Sequence, residues 1–214
     1  MKTFFRISVQ SFASAFNKYN LRTRAYEHAP WTWARVSAGP AAYGEWLEHN
    51  RDTFCGKFGN HRKYESLKPG PSGTATAVES YVIWVKGCGS HEQMIARALA
   101  QAKNDKREAF ALLYYQMRAV MRFGRTGRFD YLTMLAKVGL ASIDADSTYM
   151  NDATGPKKGA RLLFDGQIDS KTGTSVLEAR VAALEKHLGV GMQAMEDAVC
   201  NWQKSPNRYL PFRG

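Results

Sequence analysis

Cysteine is scarce in this sequence. Three residues, Cys55, Cys88 and Cys200, are scattered over 214 positions. An odd, dispersed set cannot be a disulfide scaffold, so the three are read as free thiols of a reducing compartment. Long apolar runs are missing as well. No stretch approaches the ~20 residues that a membrane helix needs, and Arg6 interrupts the apolar start MKTFFRISVQSFASAF, which excludes a signal core there. A cytoplasmic protein with no membrane partner is expected. Cys88 with His91, and Cys55 with His61, pair a thiol with an imidazole, but neither pair has a zinc-ligand spacing. No metal and no cofactor are therefore expected. Internal repeats and low-complexity tracts are absent too.

Acidic residues are the other shortage: nineteen Asp and Glu stand against thirty Lys and Arg, giving a net charge of +11. Such an excess favours a polyanionic partner, nucleic acid before an acidic membrane surface. The 44% apolar and 12% aromatic content is that of a chain able to bury a core.

The periodicities are helical. Phe5, Val9, Phe12 and Phe16 recur at helical spacing, and Tyr43, Trp46, Leu47 and Asn50 do so after Pro40. The basic, Gly/Pro-punctuated stretch KFGNHRKYESLKPGPSG at 57–73 reads as a loop or linker. It divides a 1–73 helical region from a 74–214 helical core, both within one compact fold. TATAVESYVIWVKG suits a strand or a buried helix equally. Ser90 with Gln93 forms a capping box, followed by Ile95, Leu99 and Ala102 on one face. Phe110, Leu113, Tyr114, Met117, Val120 and Met121 continue as a second helical stripe. A helix from Phe129 is expected to turn Leu132, Leu135 and Val138 inward. The closing pair has Leu177, Val181, Leu184 and Leu188, then Met192, Met195, Val199 and Trp202, inward. The fold class is all-α.

Positive charge concentrates between 118 and 137. Arg118, Arg122 and Arg125 share one face if a single helix carries them, and Arg128 follows with Asp130 as the lone acid. Gly155-Pro156-Lys157-Lys158-Gly159 opens a later helix, and a Gly-bearing turn at a helix N-terminus offers backbone N–H groups to a phosphate, as in helix-hairpin-helix modules. On the last helix Gln193, Asp197, Asn201 and Lys204 lie opposite the apolar stripe, while Glu196 and Gln203 flank it, where a polar group needs a partner or a ligand.

Three blocks, GRTGRFDYL, YMNDATGPKKGARLLF and GVGMQAMEDAVCNWQKSPNRYLPFRG, resemble the alpha-glutamyl/putrescinyl thymine pyrophosphorylases, or amino acid:DNA transferases, and more closely their third clade. The resemblance spans roughly residues 124–214. It implies an all-α fold related to helix-hairpin-helix DNA glycosylases and a role in bacteriophage DNA hypermodification, hence the host cytoplasm. The reaction implied replaces the pyrophosphate on activated 5-hydroxymethyluracil in DNA by the amine of an amino acid or polyamine. Under that reading Asp197, Glu196 and Lys204 are the catalytic candidates. Arg125, Arg128, Asp130, Asn201 and Gln203 bind the extruded base and its diphosphate; Arg118, Arg122, Gly155, Lys157, Lys158 and Gly159 hold DNA. The alternatives are a non-catalytic helix-hairpin-helix DNA-binding protein and a glycosylase acting on a modified base. Asp165 and Asp169 come too early after the 155–159 turn to be a glycosylase aspartate.

Overall fold

A computed structural model of the chain describes residues 31–50, 70–71 and 73–208. The expected Phe5–Phe16 helix, Cys55, His61 and nearly all of the basic loop lie outside them. Nine α-helices and no strand occur among the described residues, as the all-α reading requires. None of these helices is long and apolar enough to cross a membrane. The contacts divide the chain into two units: one runs to Met94 and includes 117–123, and the other comprises 95–116 and the chain from Gly124 onward.

In the first unit, α1 (Trp33–Ala38), α2 (Pro40–Asn50) and α3 (Thr74–Gly87) are followed by the first turn of α4 (His91–Gln101). Thr32 caps α1, its Oγ1 accepting from Arg35 N–H at 3.3 Å. The sequence TATAVESYVIWVKG is helix throughout. Tertiary burial of Ala77, Tyr81, Val82, Trp84 and Val85 outweighs the weak helix propensity of its β-branched and aromatic residues. The core is Trp31, Val36 and Val82, with Trp33, Tyr43, Trp46 and Val78 packed against it. Ser90 Oγ accepts from Gln93 N–H at 3.2 Å, so the cap read from the sequence starts α4. His91, only 2% exposed, lies beside Trp33 with its Nε2 2.7 Å from the Tyr81 hydroxyl. Burial lowers its pKa to about 4, against a smaller upward pull from Glu92.

The second unit holds α5 (Lys106–Gln116), α6 (Arg125–Lys137), α7 (Gly155–Asp165), α8 (Thr174–Leu188) and α9 (Met192–Trp202). Asp105 caps α5, accepting from the N–H groups of Arg107 (2.8 Å) and Glu108 (3.1 Å). Met150, Ala160, Leu177, Val181, Met195 and Val199 form a core between α7, α8 and α9, each large side chain stabilising by roughly 2 kcal/mol. A Cβ on Gly159 would lie 1.8 Å from the Val199 carbonyl oxygen, and one on Gly155 would lie 2.7 Å from Cys200 Sγ. Two glycines four residues apart thus let the α7 backbone lie directly on α9.

Several inward assignments change. Helix α6 begins at Arg125, not Phe129, and Val138, which caps its C-terminus, is exposed. Met121, Leu188 and Trp202 are exposed as well. Leu188 and Trp202 are the last residues of their helices, where the apolar stripe runs past the neighbour it packs on.

Candidate functional site

The centre of the second unit is a buried ion pair. Arg125 Nη1 donates to Glu196 Oε1 at 2.6 Å, and both side chains are nearly enclosed. Arg125 Nε donates to the Tyr149 carbonyl at 2.9 Å and Nη2 to that of Thr148. Together these contacts tie the guanidinium to α9 and to the 148–149 backbone. Tyr149 has φ 49 and ψ 52, a left-handed conformation uncommon for a residue with a side chain. Its ring stacks on Tyr114 at 3.7 Å, and its hydroxyl donates to Asp146 Oδ1 at 2.6 Å. Burial, with that hydrogen bond adding to it, raises the Tyr149 pKa well above the ordinary phenol range. Arg128 is buried too, donating to the Tyr114 carbonyl at 3.2 Å with its guanidinium 4.3 Å from the Tyr114 ring.

Arg125 and Arg128, predicted to bind a diphosphate, therefore hold interior partners. Glu196 is likewise an interior group. Desolvation raises its pKa, the negative charges of Asp197 and Asp130 add to this, and Arg125 opposes it. Cys200 is reached by the fields of Glu196, Lys204, Arg125 and Asp197. Arg125, Asp130 and Asp197 thus act on the Glu196 carboxyl, and Lys204 acts on the Cys200 thiol.

The outer face of α9 is a ladder. Gln193 Nε2 donates to Asp197 Oδ2 (3.3 Å), Asn201 Nδ2 to the Asp197 carbonyl (2.9 Å), and Lys204 Nζ to Asn201 Oδ1 (2.9 Å). Asp197 and Lys204 are exposed, and Asn201 is half-buried. Spacings of three and four residues place successive members one above another, as the helical repeat dictates. Gln203 turns back to the Cys200 carbonyl at 3.2 Å.

The basic face expected from Arg118, Arg122 and Arg125 does not exist as one helix. Helix α5 ends at Gln116, a 3-10 turn covers Met117–Ala119, and Arg122 is left-handed at φ 66. Arg118 and Arg122 belong to the first unit and are exposed, whereas Arg125 starts α6 in the second. The 138–154 connection is also no tight hairpin, since it crosses the unit through a 3-10 turn at Met150–Asp152. Gly155 and Gly159 face α9, not solvent; Lys158 is exposed and Lys157 half-buried.

A tight glycine turn lies elsewhere, between α8 and α9. Gly189 (φ 63) and Gly191 (φ 84) are both left-handed, with open space where their Cβ atoms would be. Val190 between them is 53% exposed. Gly191, the N-cap of α9, has no side chain of its own to cap the helix, and its N–H donates to Glu185 Oε1 at 3.1 Å. The sequence signal for this turn was Leu188-Gly189-Val190-Gly191 between two apolar stripes. Tyr149 carried no such signal.

A family model of the alpha-glutamyl/putrescinyl thymine pyrophosphorylases, clade 3, matches residues 14–214. The chain belongs to that family. The match reaches into both units and includes every predicted site residue, extending well before the 124–214 blocks that carried the resemblance. The family's name sets its members at pyrophosphate chemistry on a modified thymine. No curated protein and no solved structure matches the chain.

Proposed function

We propose that this protein acts on DNA, replacing the diphosphate of an activated 5-hydroxymethyluracil by the amine of an amino acid or polyamine. The C–O bond to the exocyclic carbon breaks, diphosphate leaves with the electron pair, and the amine nitrogen forms the new C–N bond. The proton then lost by nitrogen needs an acceptor. The observation that carries the reading is the family match over residues 14–214.

The geometry supports a placement of parts. The Gly189–Gly191 turn, with open space beside both glycines, takes the role of backbone grip first assigned to Gly155–Gly159, which pack on α9, because a helix-hairpin-helix contact needs an accessible backbone. Asp197 lies ~9 Å further along α9 by the helical rise. It is the exposed carboxylate to accept the amine proton, and Lys204, held by Asn201, offsets charge on the departing diphosphate. Glu196 and Arg125 lie beneath α9 and hold it to α6 and the 148–149 backbone. Lys157, Lys158, Arg118 and Arg122 add sequence-independent attraction for DNA. The base must leave the stack to be reached.

Two alternatives are separated by the same assay. One helix after the glycine turn the chain reads Ser205-Pro206-Asn207-Arg208, with no carboxylate where a glycosylase aspartate is expected, which favours transfer over excision. The ladder on the outer face of α9 would also suit a DNA-binding protein without catalysis. DNA bearing pyrophosphorylated hydroxymethyluracil is incubated with protein and candidate amines, then digested to nucleosides for mass analysis. A new amine adduct is expected with the native chain and at least 100-fold less with Asp197→Asn. Unchanged base would leave DNA binding alone; released base would mean excision.

A further inference from the structure

Two opposite charges on the outer face of α9 do not meet. Among the described residues the exposed Asp197 ion-pairs with no cation and the exposed Lys204 with no carboxylate. The reason is spacing. Charged side chains on a helix pair at three or four residues, whereas these two are seven apart, roughly 10 Å at the helical rise. Asn201 fills the interval, its Nδ2 donating to the Asp197 carbonyl and its Oδ1 accepting from Lys204 Nζ, both at 2.9 Å. The ammonium is thereby turned back toward Asp197 and stopped one amide short of it. The only side-chain donor on the Asp197 carboxylate is neutral, Gln193 Nε2 at 3.3 Å. Glu196, the other carboxylate of α9, is buried and taken up by Arg125.

We propose that this face takes the second substrate as a zwitterionic α-amino acid and not as a diamine, with the ligand's ammonium on Asp197 and its carboxylate on Lys204. The proposal rests on the reading of α9 as the transfer site and names the amine which that reading leaves open. Either ligand would set an ammonium against Asp197, where the proton is to be lost. They differ at the other end. An amino acid brings a carboxylate beside its amine, and Lys204 meets it with a charge-assisted hydrogen bond. A diamine brings a second ammonium toward Lys204, and α9 has no second exposed carboxylate to receive it. Specificity then comes from an attraction and a repulsion at one nitrogen. Holding the carboxylate also orients the amine for attack once Asp197 has its proton. This role of Lys204 is separable from its help to the departing diphosphate, since the first acts on amine binding and the second on bond cleavage.

The first test uses the full chain without DNA. It is titrated with L-alanine, n-butylamine and 1,4-diaminobutane at equal ionic strength, and the Asn201 side-chain amide is followed by NMR. L-Alanine should shift that signal saturably, with each amine about 10-fold weaker or worse. Lys204→Met should bring the three within about 2-fold, and Lys204→Glu, which adds a second carboxylate, should reverse the order in favour of the diamine. Equal binding of L-alanine and diamine by the native chain, no saturable shift with L-alanine, or an unchanged order in Lys204→Glu would each overturn the inference. The transfer assay then separates it from the reading beneath it. With DNA bearing the pyrophosphorylated base, Lys204→Met should raise the KM for L-alanine several-fold more than that for the diamine. If the variant slows both amines alike with KM unmoved, Lys204 serves the diphosphate alone and the inference falls. Selective binding of L-alanine without an adduct from any amine would instead strike the transfer reading and leave the amino-acid site standing.

Discussion

A single hydrogen atom in place of a side chain decides how α7 and α9 meet. Gly159→Ala would drive a methyl group to 1.8 Å from the Val199 carbonyl, a backbone contact that no rotamer change relieves. We expect a loss of 3 kcal/mol or more, read as a lowered urea midpoint, or no soluble protein. Gly155→Ala meets Cys200 Sγ at 2.7 Å, the mobile end of a side chain, so about 1 kcal/mol is expected. A similar cost beneath α9 should be clear at Arg125: with Glu196 left buried and unpaired, Arg125→Met should destabilise by roughly 3–5 kcal/mol. A smaller loss for Arg125→Met than for Gly155→Ala in the same denaturation series would show the ion pair to be dispensable. At this scale the sequence was informative about identity and poor about role. Gly155, Gly159, Arg125 and Arg128 were all singled out, but accessibility cannot be read from residue type. A glycine beside lysines looks the same whether it faces a phosphate or a neighbouring helix.

Helical elements were the clearest part of the sequence, because apolar residues three and four apart mark a face whatever that face touches. The cap at Ser90 was found where residue chemistry required it. Breaks were harder. The 110–122 stripe runs on past Gln116, but the chain tightens into a 3-10 turn and Arg122 leaves helical space. The ambiguity of α3 was settled by packing, and its clearest consequence is electrostatic. His91, packed beside Trp33 and Tyr81, is depressed to about 4 in the folded chain and is near 6.5 when unfolded. The unfolded state thus binds the proton first. The stability from keeping this ring neutral is complete above pH ~6.5 and is lost as pH falls toward 4, by on the order of 3 kcal/mol. His91→Gln should flatten that part of the stability curve. A native chain equally stable to urea at pH 7 and pH 4.5 would refute the burial of a neutral imidazole.

For the whole molecule, charge is the property that composition states most directly. A +11 chain of 214 residues should bind duplex DNA with an affinity that falls steeply with salt, and each phosphate neutralised contributes about 0.9 to the slope. Replacing the exposed Lys158 and half-buried Lys157 by Ala should lower that slope by up to about two such shares while leaving the melting temperature within a few degrees. A wild-type slope in this double variant would remove them from the interface. Where the charge sits was less accessible from sequence, since buried arginines count equally in the net total. Arg125 and Arg128 contribute to +11 but reach solvent little. The close seating of α7 on α9 also gives the protein a built-in clock. Cys200 is half-buried, with Gly155 against its sulfur, and its thiol is pushed up by burial with the charge of Glu196 adding to it. In a Cys55→Ser, Cys88→Ser background, alkylation of the remaining sulfur would time how often those two rods part.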